Sequence, residues 1–588
     1  MADHSLVIEA GGELESPLVR RCIEAATQSA DAVEMWRRQR RTLERLPSQL
    51  AEALLHRLLS RRLLYPSLLE VFKYNVEKVD LRGESSVDAE WMAYLGAFHF
   101  LYSLNVSECH RINSSALWSL SGMNHLKEVD LSRCSKVNDA GIKHLLSIRT
   151  IETLCISETS VTTNGVTLLS SLKKLSKLEL GGLFITDTAL VSLRVLTNLQ
   201  HLDIWGSDVT NEGASILVKF PNLNFLNLAW TKVTVLLNLP SITCLNMSNC
   251  NIHSIFKGGF NDNDNKATLK KLILSGTSFK DVTKAFSYFD PICLSFVDLS
   301  NSSLRDLSFL LSMKALENLD LSGNLIGDDS VEFIASVGAN LETLNLSNTR
   351  VTSAGVGILA GHVPKLETIS LSYTPIDDLA ISYIAMIPSL KAIDIKATYV
   401  TGVDSSLEVL GNLKNLEKLN LEETPLKDEG VGSISNFKKL SHLSLRSSFL
   451  TDVSLQYLTS VTKLKTLSIR DAILTNAGID CFNPPPFLKS LDLTGCWLLT
   501  NDVIFPFVER HPGIKIRHEL VCDFEEAKHT SPLQTSVRRR FSSSPLKYEM
   551  SAIIDERLKY SRAELLSMQF ASMAIVPPSG SGMSMSPE

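Results

Sequence analysis

Near the C-terminus, Tyr560 is followed by Leu565 and Leu566, with four residues between. Ser561 and Glu564 form a capping box between them, with Ser561 as N-cap and Glu564 at the third helical position. Tyr560 and Leu565 stand where a hydrophobic staple needs them, so the spacing predicts a helix that starts here. Its apolar end cannot be buried by so short a segment, and the matching chemistry is a helix docking into another protein's groove. A second group is aromatic: His201, Trp205, Phe225 and Trp230, on adjacent copies of a repeat. Exposed aromatics anchor interfaces, and buried ones simply pack. A third group, Lys396, Lys418, Arg446 and Arg470, places cations on neighbouring strands, interrupted by Glu422; surface charge is its commoner meaning. Arg538 to Arg540 precede Ser542, Ser543 and Ser544, where phosphate would reverse the local charge. Asp262-Asn263-Asp264 offers oxygen ligands but lacks the Gly and the distant Glu of a calcium loop. No P-loop, GxSxG or HExxH pattern occurs, and the acids and histidines form no catalytic constellation. The expectation is therefore no enzyme, no cofactor and no metal.

The elements that position these residues come from one repeat. L-x-x-L-x-L, with Val, Ile or Met as variants, recurs from Val76 (VEKVDL) to Leu488 (LKSLDL) in 18 copies, mostly 24 or 25 residues apart. In LKEVDLSRCSKVNDAGIKHLL, Val129 and Leu131 alternate with polar residues, as in a strand. Asn138-Asp139-Ala140-Gly141 supplies turn and N-cap chemistry, and Ile142, Leu145 and Leu146 follow at helical spacing. One copy cannot bury its own apolar face, and stacked copies share one core. Three residues after the last core position runs a column of Thr, Ser, Cys and Asn, including Cys109, Cys134, Cys250 and Cys496. These side chains are expected to bond turn backbone that would otherwise be buried unpaired. Between the last two core positions the residue is acidic in eight copies and Asn in five, which reads as a solvated acidic face that disfavours nucleic acid.

Composition agrees with a folded chain outside the membrane. Lys and Arg number 58 against 64 Asp and Glu, a net charge of −6, so no general polyanion binding is expected. No apolar run reaches the length of a membrane span, and the N-terminus does not read as a signal peptide. Ten cysteines without a CxxC pair argue for reduced thiols, in the cytosol or nucleus. The expected layout is a disordered stretch over 1–15, a helical cap over 16–75 and the repeats over 76–518. A flexible Ser-, Pro- and Arg-rich linker over 519–546 follows, then a helical tail over 547–574 and a disordered end over 575–588.

The repeat core resembles the ribonuclease-inhibitor-like and cysteine-containing leucine-rich repeats. That resemblance implies an α/β solenoid, a horseshoe arc with a parallel sheet on its concave face and short helices on its convex face. It implies partner binding without naming the partner. The Tyr560, Leu565, Leu566 pattern resembles the motif by which 4G-like scaffolds and 4E-binding repressors dock on the cap-binding translation factor 4E. In that resemblance the Tyr560 hydroxyl reaches a backbone group of 4E, and Leu565 and Leu566 fill a groove. A long repeat arc with this motif in its tail resembles the plant leucine-rich-repeat partners of factor 4E. It implies a cytoplasmic, non-enzymatic translation scaffold, with helicase 4A, factor 3 and poly(A)-binding protein as further partners. At the other end, Pro17-Leu18, Cys22 and Ala26 fit an elongin-C-binding box, and Leu46-Pro47, Leu50 and Leu54 fit a cullin-selecting box. This resembles the Zyg-11-type ubiquitin-ligase receptors; the same residues also suit a plain cap over the first repeat.

Overall fold

A computed structural model describes residues 17–38, 45–239, 241–256, 269–287 and 291–521. The chain divides into two units, Met1–Ala527 and Lys528–Glu588, and every described residue belongs to the first.

The repeat builds one parallel sheet of 19 strands, each paired with the next in chain order from Lys78–Asp80 to Lys515–Arg517. Most strands are three residues long, with the central residue buried and its neighbours on the open face. The register advances by one whole repeat, so Val129 faces Leu154, Leu154 faces Leu178 and Leu202 faces Leu226. These leucines and valines stack into one core along the sheet. The last strand was not legible as a copy, because Gly513 and His518 stand where the motif has its first and last apolar residues; it extends the solenoid beyond the 18 motif copies.

Helices return the chain. Asn138, Thr162, Thr210, Thr352, Asp377, Thr451 and Thr475 cap them, accepting hydrogen bonds from backbone in the first turn. The uniform strand, turn and short α-helix expected of each copy needs correction. Ser114–Leu120 and Ser308–Ser312 are 3₁₀ helices, a tighter return, and no helix forms between the strands Phe225–Asn227 and Cys244–Asn246. There the spacing falls to 19 residues, which leaves too little chain for one.

Two polar ladders lock the turns. At the N-cap, Asp139, Asp187, Asp328, Asp428 and Asp452 each accept both the N–H and the hydroxyl of Thr162, Thr210, Thr352, Thr451 and Thr475, one repeat on. In the column after the core, Cys109, Cys134, Cys250 and Cys496 donate to carbonyls of the preceding repeat at 3.1–3.3 Å. Thr231, Thr349, Thr398 and Thr424 instead turn back to carbonyls of their own repeat. The acid-or-Asn column has a structural meaning that its charge conceals. Asp130, Asp298 and Asp320, and equally Asn105, Asn246 and Asn345, accept the backbone N–H two residues on. Either side chain closes this turn, which is why the two alternate.

The first edge of the sheet is covered. Helices Pro17–Ala26, Ala30–Arg37 and Ser48–Ser60 precede the first strand. Glu52 accepts the backbone N–H groups of Glu77 and Lys78 at 3.1 and 2.9 Å. It takes the place of the carbonyl that a preceding repeat supplies elsewhere, as Glu77 does for Tyr102 and Ser103. At the far end the Glu519 carboxylate accepts the Gly495 N–H at 2.9 Å.

Candidate protein-interaction site

Strands His201–Asp203 and Phe225–Asn227 are adjacent, and their register places His201 beside Phe225. The two rings stack face to face, centroids 3.9 Å apart. One strand back, Glu179 accepts from Lys177 Nζ at 2.8 Å and lies 3.6 Å from His201 Nε2. Burial, and then the Lys177 charge, push His201 down to about 4. The imidazole is therefore neutral near pH 7 and stacks on Phe225 without a charge to desolvate. Burial pushes Asp203 up to about 6, although the Trp205 N–H and the Asn227 amide both donate to it at 3.2 Å. Burial likewise raises the Cys155 thiol, whose carboxylate neighbour is Glu179.

At the edge of the sheet, the second residue after the last core position adopts the left-handed conformation, in every motif copy except at Ser447. This turn aims its N–H at a carbonyl of the next repeat, as from Gly206 to Ala229 and from Trp230 to Ser248. Gly182, Gly206, Asn249 and Asn301 suit it. Trp230 does not: φ is +60°, and the side chain is 64% exposed. A bulky residue there costs about 1–2 kcal/mol against Gly. Trp205 lies flat over Gly181 and Gly182; a Cβ added at Gly181 would stand 1.9 Å from the indole nitrogen. The glycine pair is thus the seat of this indole. Together these side chains make an apolar ledge beside half-buried carboxylates, suited to holding a protein surface.

The structure brings His201 and Phe225 into contact and sets the Trp205 and Trp230 turns side by side. Sequence reasoning missed Lys177, Glu179 and Cys155 behind the stack, and the seat under Trp205; Gly181-Gly182, one repeat upstream, was its signal. The basic stretch is not a free cationic surface. Lys396 pairs with Glu423 at 3.2 Å, Arg446 with Glu423 and Asp471, and Arg470 with Glu422 at 2.9 Å and Asp492 at 3.5 Å. Lys418 is exposed on the strand Lys418–Glu422. Leu18 and Cys22 are exposed on the first helix, whereas Leu54 is buried. Tyr560, Ser561, Glu564, Leu565 and Leu566, the serines Ser542, Ser543 and Ser544, and Asp262 to Asp264 lie outside the described residues. Among the described residues no three His, Cys, Asp or Glu side chains gather as a metal set, and no helix is long and apolar enough to cross a membrane.

A leucine-rich-repeat family matches residues 122–146 and 314–335. No curated protein matches the chain. Among solved structures, an internalin of Listeria monocytogenes is 24% identical, covering 55% of this chain and 88% of its own, with a TM-score of 0.43. A leucine-rich-repeat protein of Leptospira interrogans is 16% identical, covering 77% and 99%, with a TM-score of 0.42. A chain of the mouse RP105/MD-1 complex is 15% identical, covering 75% and 89%, with a TM-score of 0.45. With its repeat, its whole-repeat register and the family match over two stretches, the chain has a leucine-rich-repeat solenoid fold.

Proposed function

We propose that the chain is a non-enzymatic scaffold of cap-dependent translation initiation. In this reading the sheet holds a protein partner at the ledge of His201, Trp205, Phe225 and Trp230. The C-terminal helix anchors Tyr560, Leu565 and Leu566 dock on the cap-binding factor 4E. Helicase 4A, factor 3 and poly(A)-binding protein follow as partners from the resemblance alone. The observation that carries the scaffold reading is the ledge itself: Trp230, an indole 64% exposed on the turn that follows the strand of Phe225, whose ring stacks on His201. Support for 4E comes from the sequence: a capped helix start placed outside the repeats, with a staple and two leucines. The test is retention of the purified full chain by 4E held on a cap-analogue resin. Tyr560→Ala with Leu565→Ala and Leu566→Ala should abolish retention while leaving the far-ultraviolet dichroism unchanged; equal retention of this variant overturns the assignment.

A second reading has its own observation. Leu18 is 71% exposed, and Cys22 is exposed one helical turn on, as an elongin-C-docking helix requires. It predicts co-purification with elongin C that Leu18→Ala plus Cys22→Ala removes. An unchanged elongin C band, or none with the parent chain, ends it.

A further inference from the structure

The fourth residue after the last core position forms a column along the same edge of the sheet. Early in the solenoid it is mostly polar: Ser85, His110, Ser135 and Ser160, then Asp208 and Lys232, with Phe184 the apolar exception among them. Over the final copies it becomes Pro375, Tyr399, Pro425, Phe449, Ile473 and Trp497. Tyr399, Phe449 and Trp497 are 56–68% exposed, and Ile473 is exposed as well. The Tyr399 and Ile473 N–H groups donate to Ile376 and Leu450 of the preceding repeat at 2.9 Å, which holds the column in register. Beside it runs a groove of about 1090 Å³, lined by Tyr373, Pro375, Tyr399, Pro425 and Phe449. The charged residues of its lining, Glu423, Arg446 and Asp471, pair with one another and with Lys396, so the charge beside the ridge is balanced. Lys396 and Arg446 hold Glu423 below the usual carboxylate range against the effect of burial, so it stays ionised. Tyr373 is a second bulky residue in the left-handed conformation, and it too is more than half exposed.

The aromatics alternate with proline or isoleucine, so they recur every second strand. Strands lie about 4.8 Å apart, which spaces the rings by about 9.6 Å. A polyproline II helix repeats every three residues, about 9.3 Å at 3.1 Å per residue. Prolines pack well on aromatic faces, and a peptide already extended loses little entropy on binding. We propose that this edge of the last repeats binds an extended, proline-rich peptide. The ridge from Pro375 to Trp497 is about 24 Å long at the strand spacing, which accommodates about eight such residues.

The experiment uses the full chain and fluorescence anisotropy at low salt. The probe is a fluorescein-labelled nonapeptide of three Pro-Pro-Arg triplets; the control, three Gly-Ser-Arg triplets, has the same charge and no polyproline preference. Saturable binding of the proline peptide, at least about tenfold tighter than the control, is expected. Tyr399→Ala with Phe449→Ala should weaken it by about tenfold or more, and Trp497→Ala alone should weaken it less. Both variants change exposed side chains and should keep the parent's dichroism; if the double variant loses it, Trp497→Ala decides. Trp230→Asn, on the other part of the edge, should bind as the parent does. Equal binding of the two peptides, no binding of either, or variants that bind like the parent each overturn the proposal. A dimer in sedimentation that Tyr399→Ala dissolves gives the ridge to a second copy of the chain and also overturns it.

Discussion

Trp230→Asn separates folding from function at the residue that carries the scaffold reading. In the left-handed conformation a bulky residue costs about 1–2 kcal/mol, and Asn, used by this solenoid at Asn249, Asn301 and Asn348, recovers most of it. Against that, the indole is 64% exposed, so about a third of its surface is covered. An aromatic side chain buries about 150–250 Å² when fully covered, so the substitution gives up about 50–80 Å² of covered surface. At about 25 cal/mol per Å² this costs about 1–2 kcal/mol, an upper figure because an unfolded chain also covers part of its surface. The two terms oppose, and the net change should fall within about 1 kcal/mol. The assay is urea unfolding followed by circular dichroism, read as the midpoint shift at an unchanged slope. Leu226→Ala, on the strand that leads into this turn and fully buried, should lose about 2–5 kcal/mol and calibrates the scale. A loss above about 2 kcal/mol for Trp230→Asn would show that the indole holds the fold, and the reasoning from its exposure and backbone would be refuted.

The inter-repeat ladder should show as stability. Asp428→Ala removes the acceptor of the Thr451 N–H and hydroxyl at 2.9 and 2.6 Å and of the Ser454 hydroxyl, and should cost about 1–3 kcal/mol in the same urea assay; Asp428→Asn should recover part of it. Acid should act on the sister residue. Burial alone would raise Asp378, but hydrogen bonds from Ser406, Thr401 and Gly402 hold it below its ordinary value of 3.8. Its contribution is complete above that value and disappears as pH falls through the lower folded-state value, so Asp378→Asn should flatten the acid limb of the stability profile. The stacked pair predicts a spectrum. The His201 ring, with its folded value near 4 against 6.5 unfolded, should stay neutral in an NMR titration until well below pH 6. Its contribution to stability is whole above 6.5 and is lost as pH falls through about 4, while the contribution of Asp203, raised from 3.8 to about 6, is whole below 3.8 and is lost as pH rises through about 6. Protonation of His201 near 6.5 would contradict the burial that the stack implies.

Much of the architecture was legible because one physical requirement repeats. The L-x-x-L-x-L core has to point inward in every copy, so Val129, Leu154 and Leu202 announce themselves by period alone. The buried polar column was legible for the same reason, and its cysteines do bond backbone. The final strand was hidden because Gly513 and His518 stand where two of the three apolar core residues recur. The acidic column misled because charge was read where geometry governs: Asp130 and Asn105 do the same turn-closing work. At the ledge, period placed His201 beside Phe225. It gave no notice that Glu179, paired with Lys177 on its own strand, stands 3.6 Å from His201, because that contact joins different repeats. Left-handed backbone was hardest of all to see, since at Trp230 and Tyr373 the residue type argues against the conformation that the turn imposes.

The central claim, a scaffold that docks on factor 4E through its tail, meets its most direct test in isothermal titration of purified 4E into the full chain. A single saturable heat with one 4E per chain, absent when Tyr560, Leu565 and Leu566 are alanine and unchanged by Trp230→Asn, is the predicted result. No heat with the parent chain, or the same heat with the triple-alanine chain, would contradict it.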